Sequence, residues 1–222
     1  GDLIANRIED RLARASIGRV LPGVRVNPVL RGLSPDRDPI EALSRDLAAG
    51  TVVTGSIDGE GDFIEIVASC VDASSGEVLA TIEEVHGRTE GIADLVPVVQ
   101  DRVAAALAFH LDPADWYQST SSPPLRLDAY EEFRRGVDLL VEAETWGESA
   151  NHFLKAWALD STYLDAGIMA YIYLDQATQL GQGDRTFERD SVLDRLGQGG
   201  QHRDRRSRFE LGLLGGGRRS AR

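Results

Sequence analysis

Apolar residues recur along the first half of the chain in two alternating rhythms. Leu3, Ile4, Ile8, Leu12 and Ala15 follow helical spacing behind Asp2, which predicts an amphipathic helix with Asp2 as its cap. "GVRVNPV", bounded by Pro22 and Gly23 and stopped near Pro28, alternates apolar and polar positions and predicts a short strand. Pro39 then opens a second helix with Ile40, Leu43 and Leu47 on one face, ended by Gly50. Three strands are predicted next, "TVVTGSID", "DFIEIVASCVDA" and "EVLATIEEVHG". The glycine-bearing links between them, "GEG" and "SSG", suit antiparallel hairpins. Along the middle strand Ile64, Ile66, Ala68 and Cys70 share one face, while Glu65 and Ser69 make the other only partly apolar. A long helix is predicted from Glu90 to His110, burying Leu95, Val99, Val103 and Leu107, with Pro97 near its start.

Residues 112–126, "DPADWYQSTSSPPLR", lose all periodicity and predict a linker. Beyond it the pattern is helical only. The fold class expected is therefore α/β, a mixed sheet with packed helices over 1–111, followed by an all-α region over 127–196. Residues 197–222 form a Gly/Arg-rich tail expected to be disordered, carrying seven arginines against Asp204 and Glu210.

Helical repeats need small and large residues to recur at a fixed offset, about 34 residues for helix–turn–helix units. At that offset Gly136 meets Ala170, Leu139 meets Tyr173, Leu140 meets Leu174, Phe153 meets Phe187 and Leu159 meets Leu193. Ala156 meets Asp190 and Trp157 meets Ser191, so the second unit loses register in its second helix. The stretch from Ala129 to Ala166 resembles the tetratricopeptide pattern. Gly136 takes the small position of the first helix, Ser149, Phe153 and Ala156 take the small-large-small positions of the second, and Ser161 stands at the usual terminal proline. The interval from Gly136 to Ser149 is one residue too long, which predicts an expanded turn. The resemblance assigns repeat packing to Gly136, Leu139, Ser149, Phe153, Ala156, Ala170 and Tyr173. It also implies a groove lined by first helices, with Tyr130, Arg134, Val137, Asp138 and Tyr171 as candidate partner-binding residues.

The first half, through "AGTVVTGSIDGEGDFIEIVASCVDASSGEVLATIEEVHG", resembles the TolB-type amino-terminal domain, with Gly55, Asp72, Gly76 and Glu77 at the family's marked places. That domain stands beside tetratricopeptide repeats in bacterial serine/threonine kinases, adenylate cyclases and winged-helix regulators. The resemblance implies a first sheet strand missing here, further repeats, and no catalytic residue among the matched positions. It also implies an upstream kinase, cyclase or DNA-binding domain in a longer chain, which the opening Gly1 suits.

Charge and chemistry narrow this further. A formal net charge of −12 argues against nucleic-acid binding by this region. No apolar run reaches the roughly 18 residues of a membrane span. The single cysteine, Cys70, rules out an internal disulfide and reads as a buried core residue. His86, His110, His152 and His202 show no paired spacing, so neither metal nor cofactor is predicted. "DGEGD" spaces Asp58, Glu60 and Asp62 as calcium loops do, but Phe63 and Ser69 occupy the places an EF-hand needs for glycine and acid, so a hairpin turn is expected.

The expected function is a non-enzymatic sensory or scaffolding region binding a protein or peptide partner through helical repeats. It would sit either in the bacterial cytoplasm or outside it on a membrane-anchored protein. Two alternatives stay open: an oligomerisation module pairing through an open sheet edge, and a hydrolase using Asp58, Glu60 or Glu65 in an acidic interdomain site.

Overall fold

The computed structural model describes residues 2–15, 17–112 and 123–197. The greater part of the expected linker, with Trp116 and Tyr117, and the tail beyond Gly197 lie outside the described residues. The chain divides into two compact units, Gly1–Glu131 and Glu132–Arg222, so the division falls inside a helix. A small antiparallel sheet with packed helices is followed by a helical region.

The first unit runs α1 (Asp2–Ala15), α2 (Gly23–Arg31), α3 (Pro39–Leu47), β1 (Thr51–Glu60), β2 (Phe63–Asp72), β3 (Val78–Arg88) and α4 (Ile92–Leu111). Among the described residues the sheet has three strands in the order β1-β2-β3, antiparallel throughout. The expected mixed sheet is thereby corrected. Its additional strand, "GVRVNPV", is the helix α2. The reason is tertiary. The Gly23 N–H donates to the Glu9 carboxylate of α1 at 2.9 Å, and the Pro22 carbonyl accepts from Arg25 and Val26. Those bonds close a first turn that alternation alone does not foresee. No residue of α2 is buried, and Val24 is 78% exposed.

The core follows the predicted stripes. Ile66, Ala68, Cys70, Ala80, Ile82 and Val85 on one sheet face meet Val96, Val99, Val103 and Leu107 of α4, with Ile4 and Leu12 of α1 joining them. Asp38 caps α3 by accepting the Ile40 N–H at 2.9 Å, and Pro39 occupies the first turn, where a missing donor costs nothing.

Both hairpin links have a local cause. Gly61 adopts φ +60° in the two-residue turn that pairs Glu60 with Phe63. In the β2–β3 link the Asp72 carboxylate accepts the Ser74 and Ser75 N–H groups at 2.9 and 2.8 Å, and Gly76 takes φ +74°. Gly55 serves strand approach, since a Cβ there would lie 2.3 Å from the Val67 carbonyl oxygen. Gly55, Asp72 and Gly76, three of the four positions that carry the TolB-type resemblance, are thus places where the backbone needs a special residue.

The second unit contains the larger part of α5 (Leu127–Asp138), then α6 (Trp146–Leu159), α7 (Leu164–Gln179) and α8 over 186–197. Two consecutive 3-10 turns, Leu139–Val141 and Ala143–Thr145, form the extended link between α5 and α6. Contacts run in opposite directions along each neighbouring pair. Glu132 meets Lys155 while Gly136 meets Ser149. Trp157 meets Gly167 while Gly147 meets Ala177. Gly167 meets Leu196 while Asp175 meets Arg189. α5, α6, α7 and α8 are therefore successively antiparallel.

Candidate functional site

The α5–α6 pair is built around Gly136. A Cβ on Gly136 would lie 2.7 Å from the Phe153 ring, so glycine is what lets the helices approach. The same approach brings the Gly136 carbonyl within 2.7 Å of the Ser149 hydroxyl, which donates to it. This carbonyl belongs to the last turn of α5, where helical acceptors lose their own partners. Ser149, Phe153, Ala156 and Ala170 are fully buried. Leu139 and Tyr173 are half-buried, and the Tyr173 ring lies tilted at 5.9 Å from Phe153 and edge-on at 5.7 Å from Trp146.

One turn earlier on α5 stands a feature the sequence reading missed. Glu132 is a buried carboxylate, with its side chain only 5% exposed. It lies 2.8 Å from His152 Nδ1, accepts from Lys155 Nζ at 2.7 Å, and is paired with Arg135. Burial pushes its pKa up, but bonds from Lys155 and His152 and the Arg135 charge outweigh that, so it settles below the ordinary carboxylate value. Gly136 and Ser149 supplied a signal for this cluster. One turn back from Gly136 and one turn forward from Ser149 lead to Glu132 and His152.

The candidate groove residues are placed unequally. Tyr130 does not line a groove: it is 6% exposed, hydrogen-bonds to Asp112, and packs edge-on against Phe109 in the core of the first unit. Burial of a first-turn aromatic against α4 overrides the repeat pattern. Arg134 and Asp138 are brought together as an i,i+4 ion pair at 3.0 Å, Val137 between them is half-buried, and Asp138 is exposed. Tyr171 on α7 is half-buried.

The acids of the hydrolase alternative lie on the outer sheet face. Asp58 is directly opposite Glu65 in the β1–β2 ladder and accepts from Ser56, whereas Glu60 lies opposite Phe63 at the hairpin end. Asp58 and Glu60 are exposed. The residues able to hold a metal ion, among those described, are Glu65, Glu84 and His86, whose ligand atoms lie within 4.8 Å of one another. Cys70 is wholly buried and burial pushes its thiol up to about 11, which leaves it protonated and unreactive at neutral pH.

No family model, curated protein or solved structure matches the chain. Among the described residues, no helix is long and apolar enough to cross a membrane.

Proposed function

We propose that the chain is a non-catalytic sensory or scaffolding region of a larger bacterial signalling or regulatory protein, holding a protein or peptide partner on tetratricopeptide-type helical pairs. The observation that carries this reading is the run of antiparallel helices α5 to α8, with Gly136 and Gly167 where a Cβ would collide with side chains of the neighbouring helices. Such pairs present side chains on a rigid frame, so a partner binds with little ordering of the receptor. Arg134, Val137 and Asp138 on α5 and Tyr171 on α7 form the partner-binding set, with Tyr130 withdrawn from it. The TolB-type resemblance would place a kinase, cyclase or DNA-binding domain upstream in a longer chain.

The test is a photo-crosslinking amino acid placed singly at Arg134, Asp138 and Tyr171, with Thr81 on the sheet as control, in bacteria expressing the whole protein. One partner should be captured from all three helical positions and not from Thr81, and its binding to the purified protein should be lost in Asp138→Lys with Tyr171→Ala. Equal capture at Thr81 and at the helical positions would remove the proposal.

A second reading draws on β1, which has one described neighbour in the sheet and so offers an edge to a second copy. Light scattering over a concentration series separates the two, since an unchanging monomer mass removes self-pairing.

A further inference from the structure

The outer face of the sheet gathers ligands that the sequence disperses. His86 on β3 is directly opposite Glu65 on β2, and Glu84 precedes His86 by two residues, so all three side chains emerge from one face. His86 Nε2 lies 3.3 Å from Glu84 Oε2. Glu65 is flanked on its other side by Asp58 of β1. Two guanidinium groups border the cluster: Arg88 of β3 is turned to Asp62 at 3.5 Å, and Arg102 of α4 donates to the Glu84 backbone carbonyl at 3.1 Å. The His86 ring stands beside three carboxylates, those of Glu84, Glu65 and Asp58.

From this we propose a divalent transition-metal site of the zinc class, with His86, Glu65 and Glu84 as its three ligands. One nitrogen and two carboxylate oxygens suit a first-row divalent ion, and the imidazole disfavours magnesium and calcium, which take oxygen donors. Two ligands stand on neighbouring strands and the third is two residues along, so no backbone movement is needed to converge them. His86 and Glu84 are 62% and 57% exposed, which leaves water to complete the coordination shell. The bound ion would replace carboxylate repulsion with a cross-strand tie between β2 and β3.

The experiment titrates Zn²⁺ into the tag-free chain by calorimetry. It is repeated on His86→Ala, Glu84→Gln, His152→Ala and His202→Ala, with excess Mg²⁺ as competitor. Amide spectra with Ni²⁺ then locate the site. Saturable one-to-one binding is expected, weakened at least about tenfold in His86→Ala and Glu84→Gln and unchanged in His152→Ala and His202→Ala. Broadening by Ni²⁺ should centre on residues 64–66 and 84–87. Binding that survives His86→Ala, displacement by Mg²⁺, or no saturation by about 1 mM Zn²⁺ would each overturn the proposal. Both ligand substitutions fall on exposed side chains, and far-UV circular dichroism confirms that each variant keeps its fold.

Discussion

Gly136→Ala is the sharpest test of the helical architecture, because two opposing effects of known size meet at one atom. In an isolated helix the added methyl would stabilise by about 1 kcal/mol. Here it would sit 2.7, 2.9 and 3.0 Å from Cε1, Cδ1 and Cζ of Phe153. Carbon atoms rest at about 3.5 Å or more, so the ring must retreat by about 0.8 Å. Phe153 has no exposed surface, and Phe133 at 5.2 Å and Tyr173 at 5.9 Å confine it. Overpacking of that kind costs about 1–3 kcal/mol, so after the helix-propensity gain the net expectation is a loss of up to about 2 kcal/mol.

The assay is denaturant unfolding followed by Trp146 and Trp157, both in the second unit, with Trp116 replaced by Phe. The same substitution is then made in a Phe153→Leu background. With the ring gone, Gly136→Ala should become neutral or stabilising by up to about 1 kcal/mol, a coupling of about 1–3 kcal/mol. An equal cost in both backgrounds, or a gain in the parent chain, would refute the close approach of α5 and α6.

Ser149→Ala removes the donor to the Gly136 carbonyl inside a fully buried contact and should cost about 1–3 kcal/mol in the same assay. Ala48→Gly should raise the melting temperature, because Ala48 is exposed and held at φ 54° in the left-handed C-cap of α3; the gain expected is about 1 kcal/mol. The Asp72 carboxyl, drawn down to about 2 by bonds from the Ser74 side chain and the Ser75 backbone, favours the folded state above its ordinary value of 3.8, and that contribution disappears as pH falls toward 2. Carbon-detected NMR titration should show it moving back toward 3.8 in the Ser74→Ala, Ser75→Ala double variant. Glu132 is likewise held below its ordinary value of 4.5, so its ionised form stabilises the fold at neutral pH and that stabilisation fades on acidification; Glu132→Gln should flatten the dependence of unfolding midpoint on pH below about 4.5.

What the sequence disclosed depended on how local the deciding forces are. The β2 pattern and its two glycine-bearing links encode the hairpins because alternation and turn residues act within a few positions, and Ile64, Ile66, Ala68 and Cys70 are all buried as their shared face implied. The α4 stripe was equally plain beyond the first turn, since Val99, Val103 and Leu107 recur at four-residue intervals and all are buried, whereas Leu95, expected with them, is half-buried and Val96 is buried instead. α2 was not legible. Val24, Arg25 and Val26 alternate as a strand would, but the bond that starts their helix comes from Glu9, fourteen residues away. The metal-ligand cluster was hidden for a related reason. Glu84 and His86 are visibly on one face, but bringing Glu65 opposite His86 depends on a register shift between Ile66 and Ala68 that no local pattern announces.

The same distinction separates the packed side of α5 from its displayed side. At about 100° per residue, Glu132 and Gly136 share the side of α5 that faces α6, while Arg134 and Asp138 fall roughly opposite. The contacts agree, for Glu132 and Gly136 meet Lys155, His152 and Ser149, whereas Asp138 is exposed and pairs with Arg134 of its own helix. Substituting the first pair changes how the helices pack. Substituting Asp138, exposed and i,i+4 paired, should alter stability by no more than about 0.5 kcal/mol. A loss of partner binding in Asp138→Lys with an unchanged unfolding midpoint would therefore come from the displayed surface and not from a loosened frame. If that midpoint falls as far as it does in Gly136→Ala, Asp138 is part of the frame and the two faces of α5 are not separable.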